Sequence, residues 1–344
     1  MKRLLHGVGV LAGLFVLVSG IGLWQLDRFL HTPMTVPAEG TSFEITPGAT
    51  FHGISRQLQE AGIVSNGAML RGYARWTGQA NGVQAGEYRI LSGTTPAALL
   101  DQFTSGDVQL YSFTIVEGWN HWDLLRAMQA HPQIDARMTD EDWPALLAEL
   151  GAETLHPEGL FLPETYRFPR HTTDQTLLKQ AYGFMQAALA EEWAQRDTTS
   201  PVTTPYEALI LASIVEKETA RADERAKIAG VFARRLNKRM RLQTDPTVIY
   251  GIGPGFNGNL TRRDLKTDTP HNTYTRGGLP PTPIAMPGRD AIHAALHPAS
   301  GEELYFVATG LEDGSHKFSV TKAEHDAAVA EYLRQLRSRR SKAM

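Results

Sequence analysis

Apolar residues run almost unbroken from Leu4 to about Leu26, interrupted only by His6, small residues and Gln25. A stretch of about 20 such residues is long enough to cross the hydrocarbon core of a bilayer as a helix. His31 to Thr41 is rich in Pro, Thr and Gly and reads as a tether. Shorter patterns follow: a strand at Phe43 to Ile45, a turn at Pro47-Gly48, and helices over Thr50 to Ala61 and Asn66 to Trp76. A strand at Gly86 to Ile90 and a helix through Ala97 to Phe103, stopping at Gly106, come next. Strand, helix, helix, strand in so short a stretch predicts a small α+β module able to fold alone.

A strand from Tyr111 to Val116 leads into Glu117-Gly118-Trp119, and helical spacing returns near Trp122 to His131 and Asp140 to Gly151. Glu158 to Tyr166 is a loop dense in aromatics and prolines. Helices are predicted over Thr176 to Glu192, Pro205 to Ala220 and Asp223 to Arg239, the last capped by Asp223 or Ala222. Periodicity then fades until Arg289, in a stretch rich in Gly, Pro, Asn, Thr and Tyr. A structureless loop of that length is rare in a compact domain unless it is functional, so short strands lining a groove are expected there. A strand at Leu304 to Ala308, a turn near Asp313-Gly314 and a closing helix from Lys322 to Leu336 complete the pattern. The predicted fold class is α+β. Residues 1–30 form the amino-terminal end and a transmembrane helix, 31–41 a tether, 42–108 the small module, and 109–344 a larger mixed α+β domain.

Lys2 and Arg3 precede the apolar run, so the amino terminus is expected in the cytoplasm and everything after Asp27 outside it. Trp24 stands where an interfacial aromatic belongs. Val18-Ser19-Gly20 offers small residues for signal cleavage, but the apolar core is too long and the site too poor, which favours a retained single-pass anchor. The formal net charge of −3 predicts no bulk attraction to nucleic acid. Absence of cysteine excludes a disulfide framework, thiolate metal sites and a thiol nucleophile.

Glu218 is the candidate for chemistry. On a helix, Ile210, Leu211, Ile214 and Val215 make one apolar face, with Glu218 near its centre and Glu216 on the opposite, polar side. A carboxyl aimed at a core or cleft loses hydration, and its pKa rises toward the range a general acid needs. From spacing alone, a structural carboxyl satisfied by Arg221, Arg225 or a backbone group is an equal reading.

Other chemistries fit less well. Of the 12 histidines only His293 and His297 stand at i, i+4, and the pair before Pro298 reads as the end of a helix, so no metal site is expected. Ser213 lies in no Gly-x-Ser-x-Gly elbow, and Gly251 to Gly255 lacks the Lys-Ser/Thr end of a phosphate loop. What remains is acid catalysis by a carboxyl beside many neutral hydrogen-bonding and aromatic groups. That composition suits a polyhydroxylated substrate such as a glycan.

Three strings identify a likeness: Ile214 to Thr219, Met240 to Gly251, and Tyr274 through Gly278-Leu279-Pro280-Pro281. On these the chain resembles the endolytic peptidoglycan (murein) transglycosylases of the MltG, or YceG-like, family, from the anchor to the final helix. The resemblance implies that the small module is LysM-like, that the larger domain is catalytic, and that Glu218 is the catalytic acid. It implies a lytic transglycosylase of the inner membrane, with its catalytic domain in the periplasm. Such an enzyme cleaves between MurNAc and GlcNAc of nascent strands, leaves 1,6-anhydro-MurNAc ends, needs no cofactor, and works beside peptidoglycan synthases.

Gln243, Asn272 and Tyr274 are the expected contacts to sugar or N-acetyl groups. Asp245 is assigned to positioning, and Glu164 has either a similar role or a loop hydrogen bond. Many members carry Asn before the Pro-Gly that here is Pro287-Gly288; this chain has Met286, so no polar contact is expected there. A hydrolytic muramidase and a non-catalytic, membrane-anchored wall-binding scaffold are the alternatives.

Overall fold

The computed structural model describes residues 2–342, which divide into two compact units. One comprises the chain up to Tyr111 together with Arg167–His171. The other comprises Ser112–Tyr166 and everything from Thr172 onward.

The first unit opens with α1 (Lys2–His31), whose segment Gly13–His31 is long and apolar enough to cross a membrane. Leu14, Phe15, Val16, Leu17 and Val18 lie exposed along it. The side chains of Lys2 and Arg3, on which the expected orientation rests, are outside the described ones. β1 (Thr41–Ile45), α2 (Phe51–Glu60), α3 (Gly67–Trp76), β2 (Gly86–Ile90) and α4 (Pro96–Ser105) follow. The strand, helix, helix, strand order is the one the spacing predicted.

β1 and β2 pair antiparallel with Phe43 opposite Tyr88. Thr50, Asn66 and Thr95 cap the three helices through their side chains, and Gly106 ends α4 in the left-handed region at φ 71°. Tyr88, Leu58, Leu99 and Phe103 fill the core, with the Tyr88 and Phe103 rings 4.7 Å apart, edge to face. Met34 belongs to this core, and its N–H donates to the Thr94 carbonyl at 2.9 Å. The stretch read as a tether is therefore laid against the module at Met34.

β3 (Leu110–Thr114), α5 (His121–Ala130), β4 (Ile134–Asp135) and α6 (Trp143–Glu149) come next. β5 (Thr165–Pro169) pairs with β3, and β6 (Thr172–Thr173) pairs with β4 in parallel. α7 (Asp174–Ala194), α8 (Pro205–Glu218) and α9 (Ala222–Asn237) then build a helical core. α8 is its axis. All residues from Ala208 to Val215 are buried, as expected of a helix enclosed on every side. Thr204 caps it ahead of Pro205, and it ends at Glu218 because Thr219 is extended, short of the predicted Ala220. α9 begins after Arg221, which makes no side-chain capping bond, so neither Asp223 nor Ala222 is the cap.

The aperiodic stretch holds helices where strands were expected: α10 (Asp245–Ile252) and α11 (Arg262–Lys266). Pro246 in the first turn of α10 and a Thr261–Asp264 capping box on α11 start helices too short to show a repeat. α12 (Arg289–Leu296) packs against α8, α9 and α7. β7 (Tyr305–Ala308) pairs antiparallel with β8 (His316–Ser319), a polar strand not anticipated, and α13 (Lys322–Lys342) closes the chain.

Candidate active site

Glu218 is the last residue of α8, so a buried and rigid helix delivers its carboxyl to a cavity of about 460 Å³. Across from it the chain enters α10. Thr244, itself buried, donates its hydroxyl to Glu218 Oε1 in a short hydrogen bond. Thr244 is fixed by further threonines. Its N–H donates to Thr273 Oγ1 at 3.1 Å, and Thr247 Oγ1 donates to the Thr244 carbonyl at 2.7 Å. With its proton so used, Thr247 accepts from Thr273 at 2.8 Å. The group held against Glu218 is thus a neutral hydroxyl on a rigid support.

Burial raises the pKa of Glu218 above its ordinary value. The Thr244 bond pulls the other way, the Asp245 charge adds to the rise, and the His316 charge opposes it. The resulting carboxyl is suited to hold a proton.

Four of the sequence-predicted residues meet here: Glu218, Gln243, Asp245 and Tyr274 all line the cavity. Tyr274 donates its hydroxyl to Asp245 Oδ1 at 2.5 Å. Burial, then that bond, pushes the Tyr274 pKa up, so the phenol stays a donor. Gln243 is exposed and held in the left-handed region at φ 52°, its N–H on the Thr273 carbonyl at 3.2 Å. A non-glycine residue kept there marks stored backbone strain, as is common at functional sites.

Asn272 and Glu164 are not among the residues lining the cavity. Asn272 is fully buried: its amide NH₂ donates to the carbonyls of Asp264, Leu265 and Thr267, and its Oδ1 accepts from the Tyr274 N–H at 2.8 Å. It clamps the loop that carries Tyr274. Glu164 is exposed and accepts from the Thr165 N–H at 2.8 Å, the loop hydrogen bond weighed for it.

Glu216 departs from the face expected for it. It is not on a polar side: its carboxyl is buried, accepts from the Gly288 N–H at 2.9 Å and sits 3.9 Å from Arg225. Burial raises its pKa as well. At the end of α8 the exposed position is Lys217, between the two acids, so partners distinguish Glu216 from Glu218. Glu216 is tied to a backbone amide and a cation, while Glu218 faces the cavity.

Arg235, Tyr305, His316 and His325 are among the other lining residues and were not foreseen. Arg235 is buried and donates to the carbonyls of Leu304, Arg241 and Leu242, which sets the chain just before Gln243. His316 is fastened twice to the buried Glu224: Nδ1 lies 2.7 Å from Oε2, and its N–H donates to Oε1 at 3.0 Å. One signal pointed to this pair. Glu224 stands four residues before Ile228 on the buried face of α9, the same kind of misplaced acid as Glu218.

A model of the YceG-like family matches residues 43–331. The endolytic murein transglycosylase of Bacillus subtilis is 29% identical over 335 residues, covering 91% of this chain and 90% of that protein. That of Streptococcus pneumoniae strain D39 is 29% identical over 353 residues, covering 92% of this chain but 63% of the longer relative. Among crystal structures, a YceG-like protein of Listeria monocytogenes superposes with a TM-score of 0.54 at 26% identity, over 85% of this chain and 99% of that one.

Proposed function

The chain belongs to the YceG-like family, and from that premise we propose that it is an endolytic murein transglycosylase with Glu218 as its acid. The observation that carries this reading is a carboxyl with a raised pKa, at the end of a buried helix, hydrogen-bonded by a neutral hydroxyl and open to a cavity. In this scheme Glu218 protonates the glycosidic oxygen between MurNAc and GlcNAc as the bond to MurNAc C1 breaks. The carboxylate left behind takes the proton of the MurNAc C6 hydroxyl as that oxygen closes on C1, giving a 1,6-anhydro ring. One group serves as acid and then base, and no water is consumed.

Burial and the Asp245 charge favour the acid, the Thr244 bond and the His316 charge favour the carboxylate, and the acid is favoured on balance. Gln243 and the Tyr274–Asp245 pair supply hydrogen bonds for sugar hydroxyl or N-acetyl groups. α1 anchors the protein in the cytoplasmic membrane as a single pass, with the chain that follows it on the outer side. Residues 42–108 act as a LysM-like glycan-binding module, and cleavage of nascent strands beside the synthases terminates their elongation.

A second reading rests on Asp245, which shares the cavity. A hydrolytic muramidase uses two carboxyls, one to protonate the leaving group and one to activate water or attack C1. Mass analysis of digests of purified glycan strands separates the two. A transglycosylase gives anhydro-MurNAc ends, and Glu218→Gln lowers their formation by about 10²–10⁴-fold or more with the fold intact. Reducing MurNAc ends would identify a hydrolase. Full activity in the variant would remove Glu218 from the chemistry.

A further inference from the structure

The histidine pair set aside as a helix end lies next to a carboxylate from another helix. Glu192 stands in the last turn of α7, His293 on α12, and His297 just after it. The His297 N–H donates to the His293 carbonyl at 2.8 Å, so the helical turn continues through His297. The two imidazoles stack with centroids 4.3 Å apart and an interplanar angle of 29°. Glu192 Oε2 lies 2.8 Å from His293 Nδ1. One donor atom from each of the three residues lies within 4.8 Å of the other two.

A helix end held by a Glu–His bond accounts for His293. It leaves His297 unexplained: among the described residues its Nε2 is closed off from solvent with no hydrogen-bond partner. A buried polar atom in that state costs free energy unless something pairs with it. Asp197, whose N–H donates to the Leu296 carbonyl at 3.0 Å, brings a second carboxylate close enough for its charge to interact with His297.

We propose that Glu192, His293 and His297 form a binding site for one divalent transition-metal ion of the zinc class, which staples the end of α7 to the end of α12. Imidazole and carboxylate are the donors such ions take, at about 2.0–2.2 Å, with water filling a fourth position. Donors around such an ion stand roughly 3.3–3.6 Å apart. His293 is 59% exposed in its side chain, which leaves room for its ring to turn as the triad closes, while the His297 backbone is held by its bond to the His293 carbonyl. The metal would replace the Glu192–His293 bond and give His297 Nε2 its partner. Because α12 packs on α8, the staple would also bear on the helix that carries Glu218, although binding itself does not depend on any reading of the reaction.

The test is zinc titration of the full-length, tag-free chain in detergent after EDTA treatment, followed by calorimetry and thermal unfolding. The expected result is one zinc per chain with micromolar affinity and a rise in Tm on binding. His297→Gln weakens binding by at least about tenfold, the lower bound for losing even an outer partner of a metal site, and abolishes the rise. Glu192→Gln keeps an acceptor for His293 and therefore the fold, yet weakens binding in the same way. Cobalt in place of zinc gives the visible absorption of a tetrahedral nitrogen and oxygen site, lost on adding zinc. No uptake, or uptake unchanged in both variants, overturns the proposal.

Discussion

Glu218 shows how much one residue reveals before its neighbours are known. Its position at the end of an apolar run announced a desolvated acid, and the structure finds its pKa raised with burial as the main cause. The same run misjudged Glu216, because helical spacing says which side chains share a face but not what lies opposite each face. The raised pKa has a consequence for stability. A folded state that holds the proton more tightly than the unfolded chain suffers no penalty below the ordinary carboxyl value of 4.5 and loses stability as pH climbs through the raised value. Glu218→Gln removes that penalty. Its Tm is expected to match the wild type at acidic pH below 4.5 and to exceed it progressively as pH rises, reaching a plateau above the raised pKa. The plateau is worth about 1.4 kcal/mol for each tenfold difference in proton affinity. Thermal unfolding across pH measures this, and a Tm difference of the same size at every pH would refute it.

Among the elements, those with capping residues and long apolar spacing were legible, α8 above all. α10, α11 and β8 were not, since each is too short or too polar to show a period. Their positions depend on long-range fastening. Ser213 in the middle of α8 accepts from the Ile284 N–H at 3.0 Å, and Glu216 accepts from Gly288, so the aperiodic chain is hung on α8 by side chains far from it in sequence. Close backbone packing does the same for α9. A Cβ on Gly230 would stand 2.4 Å from the Ala299 carbonyl oxygen, whose residue also donates its N–H to Ala226 at 2.9 Å. In an isolated helix, Gly→Ala stabilises by about 1 kcal/mol. Here Gly230→Ala is expected to reverse that sign and destabilise by about 1–3 kcal/mol through overpacking. Urea unfolding with a lowered midpoint and an unchanged slope checks it; a midpoint shifted upward would mean that α9 yields without strain.

At the scale of the whole molecule, the apolar amino terminus was evident from hydropathy, but where it joins the core of the first unit was not. Leu30 is 5% exposed, and Met34 is part of the core of the first unit, so the last turn of α1 and the chain after it are structural. Removal of residues 1–26 is expected to leave amide protection in β2 unchanged and, under the proposed anchoring by α1, to make the protein soluble without detergent. Removal through Val36 also takes away Leu30 and Met34 and lowers that protection by about 10²-fold or more, the scale of losing large core side chains. Hydrogen exchange on the two truncated forms decides it, and equal protection would return the 31–41 stretch to the role of a free tether.

Short-range physics, legible in the chain alone, set the apolar amino-terminal helix, the strand, helix, helix, strand module, the capped helix α8, and the acid at its end. Each follows from periodicity and capping, which act over a few residues. Long-range packing selects which residues share the cavity with Glu218. Thr244, Arg235 and His316 reach it from separate elements, and Glu224 fastens His316 at the cavity wall. Asn272, near Tyr274 in sequence, is turned inward to its own loop. Desolvation and hydrogen-bond geometry set the chemistry of a carboxyl, and both depend on what the completed fold brings against it.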